Sequence, residues 1–204
     1  MARWLLIAAL VLVALVGLSQ LVIPPVAEHR IEDRLTDGGG TADVSLHAFP
    51  AARLLFGDGT KLSVTGSGLD LGLQQQSNVF DKLDGFDRVD VNLTDFHAGP
   101  FAVANFDLTR PAPSAPYHLV SSSRTTPGAL AQYGAAQLGL PGGPLLRFFT
   151  DQALRGNRAV PINVDMELRS DGGRVVVVSG GGTIAGYPTG PLAELITSAI
   201  AVRL

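Results

Sequence analysis

Val160-Pro161-Ile162-Asn163-Val164-Asp165-Met166-Glu167-Leu168-Arg169 decides the fold class, because five apolar side chains alternate with five others without an error. Side chains on a strand point alternately to its two faces, so this segment predicts a strand with one apolar and one solvated face. Asp171-Gly172-Gly173 then offers a tight hairpin turn, and the unbroken run Val175 to Val178 implies a strand covered on both faces. Towards the N-terminus the same alternation recurs in Tyr117 to Ser123, in Phe101 to Thr109 and in Val89, Val91 and Leu93. Leu62 and Val64 are out of phase with Leu69, Leu71 and Leu73, which calls for a bulge at Gly66-Ser67-Gly68. Val44, Leu46 and Ala48 begin the series, followed by a helical turn from Phe49 that Gly57 ends. Together these segments predict an antiparallel meander.

Helical signals are fewer. Thr126-Pro127 reads as a cap and first turn of a helix reaching Leu138, and Pro144 to Leu154 reads as another. Pro188 to Leu204 carries an apolar stripe through Leu192, Leu195, Ile196, Ala199 and Ile200. The expected architecture is α+β: a curved antiparallel β-sheet packed against short amphipathic helices, preceded by an N-terminal transmembrane or signal helix.

That N-terminal helix is read from WLLIAALVLVALVGLSQLVI, residues 4–23, with no charge between Arg3 and Glu28. Twenty residues at the helical rise span ~30 Å, the thickness of a hydrocarbon core. A cleaved signal peptide has a shorter apolar region of ~7 to 15 residues ending in a small-residue site. No convincing site of that kind stands here, so an uncleaved anchor is the expectation, with Trp4, Leu5, Leu12, Leu18 and Ile23 among its membrane-facing residues. Arg3 favours a cytoplasmic N-terminus and an extracytoplasmic domain. Pro24 and Pro25 should break or kink the helix at the membrane edge, after which Ala27, Ile31 and Leu35 recur among charges as an amphipathic stem. The expected organisation is an anchor or signal at 1–25, a stem and glycine-rich hinge at 26–40, and one domain at 41–204.

Composition removes several function classes. Charged residues make up 16% of the chain, net charge is -3, and no Lys or Arg block exists to track a phosphate backbone, so nucleic acid is not an expected partner. Cysteine is absent, which excludes thiolate chemistry and covalent lipid attachment through a lipobox. His29, His47, His97 and His118 follow no metal-ligand spacing, and no metal or other cofactor is expected. Asp81, Asp84, Asp87 and Asp90 recur by threes, which misses the alternate-position acids of a calcium loop and reads as a turn leading into a strand. Ser67 lacks the G-x-S-x-G context of a nucleophile elbow, and Asn92-Leu93-Thr94 is a chance-level glycosylation match. No catalytic residue is predicted.

The N-terminal apolar segment, the stem AEHRIEDRL, the stretch DVSLHAFPAARLLFGDGTKLSVTGSGLDL, the strand pair before TPGALAQYG and the terminal hairpin resemble the LmeA-like phospholipid-binding family of actinobacterial cell-envelope proteins. The resemblance implies an extracytoplasmic, non-catalytic phospholipid binder or transfer protein whose partners are a phospholipid or related envelope lipid and the membrane. The alternative is a structural or protein-interaction domain of the envelope with a solid core and no lipid ligand. If sheet and helices part to leave a groove for acyl chains, Leu145, Phe148, Phe149, Leu195 and Ile196 are the predicted lining residues.

Overall fold

The computed structural model describes residues 20, 22–71, 79–129, 158–171, 174–184 and 187–188. A helix, α1, covers 22–36. The strands are β1 (Thr41–His47), β2 (Gly59–Ser67), β3 (Asp70–Leu71), β4 (Phe86–Ala98), β5 (Phe101–Arg110), β6 (Tyr117–Thr125), β7 (Val160–Asp171), β8 (Arg174–Ile184) and β9 (Tyr187–Pro188). A 3-10 turn spans Ala51–Phe56 and a short helix, α2, spans Val79–Asp84. All nine strands form one sheet in the order β1-β2-β4-β5-β6-β7-β8-β9, with β3 also paired to β4. The molecule is therefore α+β, dominated by a single mixed sheet.

The antiparallel expectation is corrected at one seam. β2 runs parallel to β4, with Gly59 opposite Phe86 and Ser67 opposite Thr94, and β3 continues beside β4 in the same register, Asp70 opposite His97. Every other neighbouring pair is antiparallel. Periodicity could not reveal this, because alternation marks a strand's faces and is silent about its partner's direction. β7 follows its alternation closely, with Ile162, Met166 and Leu168 buried. It pairs with β8 up to Asp171 opposite Arg174, as a two-residue hairpin connection requires.

The phase change near Gly66 has a different form from the expected bulge. Gly68, with a positive φ of 66°, separates β2 from β3, and it lies level with Asp95, whose φ is 48°. Core-facing positions pass from Leu62, Val64 and Gly66 to Leu69, and in β4 from Leu93 to Phe96. In β5 they pass from Phe106 to Val103, and the register between β5 and β6 shifts at the same level. One crease thus crosses three lanes of the sheet, while β6 runs straight through it. Leu69, at 0% exposure, fills the crease beneath.

One face of the sheet carries the core: Val44, Leu46, Leu62, Val64, Val89, Leu93, Phe96, Leu108, Tyr117, Met166 and Leu168 form a continuous buried cluster. The opposite face presents Lys61, Arg88, Asp90, Asn92, His118 and Glu167 to solvent. Val175 and Val177 pack against the core, but Val176 and Val178 are 50% and 47% exposed, so the prediction that this run is covered on both faces is corrected. The sheet is one-sided there too.

The stem is docked along β1. Ala27, Ile31 and Leu35 pack against the core, and two stem carboxylates bind the outer edge of β1. The Leu46 N–H donates to Glu28 Oε1 (2.7 Å) and the Val44 N–H to Glu32 Oε1 (3.0 Å). Residues four apart on a helix are separated by ~6 Å and alternate strand residues by about 6.7 Å, so the two ladders match. An edge strand's unpaired N–H groups invite pairing with another chain, and here acidic side chains occupy them. Replacing both Glu28 and Glu32 by alanine is expected to lower stability by about 2 kcal/mol in urea unfolding, with glutamine replacements retaining most of it. Pro24 and Pro25 lie within the described helix, which runs through them to residue 36 and is not broken there.

Candidate functional site: an apolar trough on the core face

Two regions of the core face differ in exposure. Across β1, β2 and β4 most inward residues are buried, Ala42, Gly66 and Val91 being partly exposed, and between β5 and β8 a contiguous group is only partly buried. Pairing places Phe106, Ser121, Val164 and Gly182 in one row across four strands, and Val103, Ser123, Ile162 and Ile184 in the next. Phe106, Ser121, Ser123, Val164, Gly182 and Ile184 are all partly exposed. Three inter-strand spacings make this patch about 14 Å wide, and the six residue steps between Leu119 and Thr125, the buried residues that bound it, span about 20 Å. Small side chains in the middle leave a trough between the larger Phe106 and Phe96, whose rings meet edge to face at 6.4 Å, and the Ile162 and Ile184 pair.

Its chemistry is simple. No titratable side chain occupies either row, and the polar groups are two serine hydroxyls. Ser121 Oγ donates to the Asn105 carbonyl (3.0 Å), leaving its lone pairs as acceptors. Such a surface can hold methylene chains and offer a weak hydrogen bond to an ester or hydroxyl group.

The one buried charge on the core face among the described residues is Arg110, at the end of β5. Its Nη1 donates to Asp84 Oδ1 (2.9 Å), and its Nη2 donates to the carbonyls of Leu83 (3.1 Å) and Phe86. Tyr117 also donates to Asp84 Oδ1 (2.8 Å). The Tyr117 ring lies 4.6 Å beneath the guanidinium and meets Phe80 edge to face at 5.0 Å. Burial, reinforced by the hydrogen bond to Asp84 and opposed by Arg110, pushes the Tyr117 hydroxyl well above its ordinary value. It therefore remains a donor at all physiological pH. With the last carbonyls of α2 and one acid already taken, this cluster clamps α2 to the sheet. Arg110 was not singled out in the sequence; its place at the end of an alternating strand, in phase with Leu108, was the available signal.

The four histidines are dispersed and solvent-facing as read, His118 bonding Asp165 at 3.0 Å on the polar face. Among the described residues no three acids or histidines gather around a point. The acids at 81, 84, 87 and 90 run from the single turn of α2 through the turn at Gly85 into β4, a turn leading into a strand as expected. Ser67 lies exposed at the end of β2 beside Thr41, and Asn92 bonds Asp107 on the polar face. Thr126 does cap a helix, its Oγ1 accepting from the Ala129 N–H (3.1 Å), of which 127–129 are described.

The predicted lining residues Leu145, Phe148, Phe149, Leu195 and Ile196 lie outside the described residues, as do Trp4, Leu5, Leu12 and Leu18 of the predicted anchor; Ile23 is partly buried in α1. Among the described residues no helix is long and apolar enough to cross a membrane. The chain matches no protein-family profile, no curated protein and no solved structure.

Proposed function

We propose that this protein is a non-catalytic phospholipid-binding or lipid-transfer protein of the bacterial cell envelope, held at the membrane by residues 4–23 with its domain on the extracytoplasmic side. The observation that carries the reading is the partly exposed trough between β5 and β8, apolar, free of titratable groups and lined by two hydroxyls. Each acyl methylene buried there contributes about 0.8 kcal/mol, so even a short chain segment gains several kcal/mol. The low charge content, the apolar N-terminal run and the resemblance to LmeA-like proteins point the same way.

The test is native mass spectrometry of residues 20–204, which keep Gln20 and the stem helix, followed by lipid extraction and uptake of a fluorescent phospholipid. A stoichiometric phospholipid and saturable uptake are expected. A clean apo mass with no uptake would overturn the proposal. It would turn attention to the protein-interaction reading, which the exposed Val176 and Val178 on the outer face of β8 favour.

A further inference from the structure

Three large apolar side chains stand out from the turn after β1: Phe49 at 74% exposure, Leu55 at 71% and Phe56 at 83%. They are held there by the turn's other residues. Ala51 is fully buried, Leu54 packs inward on the core, and Gly57, with φ 81°, closes the turn by donating to the Leu54 carbonyl (3.1 Å). A turn that buries Ala51, packs Leu54 on the core and exposes Phe49, Leu55 and Phe56 is shaped to meet an apolar phase.

The hydrogen bonds fix where the turn lies. Glu32 meets Val44 and Glu28 meets Leu46, so β1 runs back along α1 towards the start of the helix. At that end the Gln20 amide, with its nitrogen facing the Ala48 carbonyl, donates to it (3.2 Å) and accepts from the Ala51 N–H (2.9 Å). The turn is thus level with Gln20, inside the apolar run of residues 4–23. Val22 and Val26, 56% and 48% exposed, extend the apolar surface on the helix.

We infer that Phe49, Leu55 and Phe56 insert into the bilayer surface beside the N-terminal segment, giving the domain a second membrane contact that sets its tilt. A lipid bilayer is the occupant this position selects. Wherever residues 4–23 are held in a membrane, the hydrogen bonds of Gln20 to Ala48 and Ala51 bring the turn to the interface, where aromatic side chains with an apolar body are favoured. Arg53, within the same turn, makes no ion pair among the described residues and stands at the level of anionic headgroups.

The inference rests on the membrane-anchor reading, and the experiment separates the two. The full chain carrying Trp4→Phe and Phe56→Trp has one tryptophan, since Trp4 is the native one. It is reconstituted with phosphatidylethanolamine and phosphatidylglycerol vesicles whose acyl chains are brominated, and compared with Trp4→Phe, Asp90→Trp on the exposed polar face. The expected result is a blue-shifted emission from position 56 that bromine quenches by more than half, with position 90 unquenched. A chain that floats with the vesicles but is unquenched at position 56 would overturn the second contact and leave the anchor standing. A chain that does not float would overturn both.

Discussion

Replacing Asp84 by alanine is expected to lower the free energy of unfolding by about 3 to 5 kcal/mol, a large part of the 5 to 15 kcal/mol typical of a domain. The size follows from what remains behind. The Arg110 side chain is only 5% exposed and its Nε already lacks a hydrogen-bond partner, so losing Asp84 leaves a buried cation without its counter-charge. Tyr117 loses its acceptor in the same substitution. Changing Arg110 to methionine is expected to cost less, because the Asp84 side chain is 35% exposed and can rehydrate. Equilibrium urea unfolding of the two variants checks the ordering; equal losses, or a milder loss at Asp84, would show that the clamp on α2 does not depend on the ion pair.

Replacing Ser123 by phenylalanine is expected to reduce phospholipid uptake roughly tenfold or more, equivalent to at least about 1.4 kcal/mol of lost affinity, while leaving the unfolding midpoint unchanged or raised. Ser123 sits in the middle of the trough between Val103 and Ile162, where a ring would occupy the space an acyl chain needs. In a solid core the same substitution overpacks, which costs about 1 to 3 kcal/mol. The two readings therefore predict opposite signs for stability. A destabilised variant with undiminished uptake would place the lipid elsewhere, and a destabilised variant of a protein that takes up none would favour the interaction domain.

Most strands were legible because each carries its own evidence. Met166 and Leu168 alternate with Asp165 and Glu167 whatever lies beside them, and Gly57 ends the turn at the place its φ requires. What depended on pairs of distant residues was not legible. The parallel meeting of Leu62 with Val89 leaves no mark on either strand. Glu28 and Glu32 look like ordinary charges of a stem until Val44 and Leu46 are set beside them. The crease at Asp95 was invisible because aspartate adopts positive φ only occasionally, whereas Gly68 announced itself. The trough arose from small residues, Ser121, Ser123 and Gly182, contributed by separate strands that no local window brings together.

The parallel seam has a kinetic consequence. Ala98 and Phe101 need close only a two-residue turn to start the β4–β5 hairpin, and β5 to β6 follows at similarly short range. Joining Gly59 to Phe86 requires the intervening chain to cross over before any seam bond can form. Loop closure precedes the reward of contact in such pairings, so they slow folding. The β1–β2 ribbon, the β4–β6 meander and the β7–β8 hairpin are thus local units, and the molecule becomes one sheet only when β2 is zipped to β4 and β6 to β7.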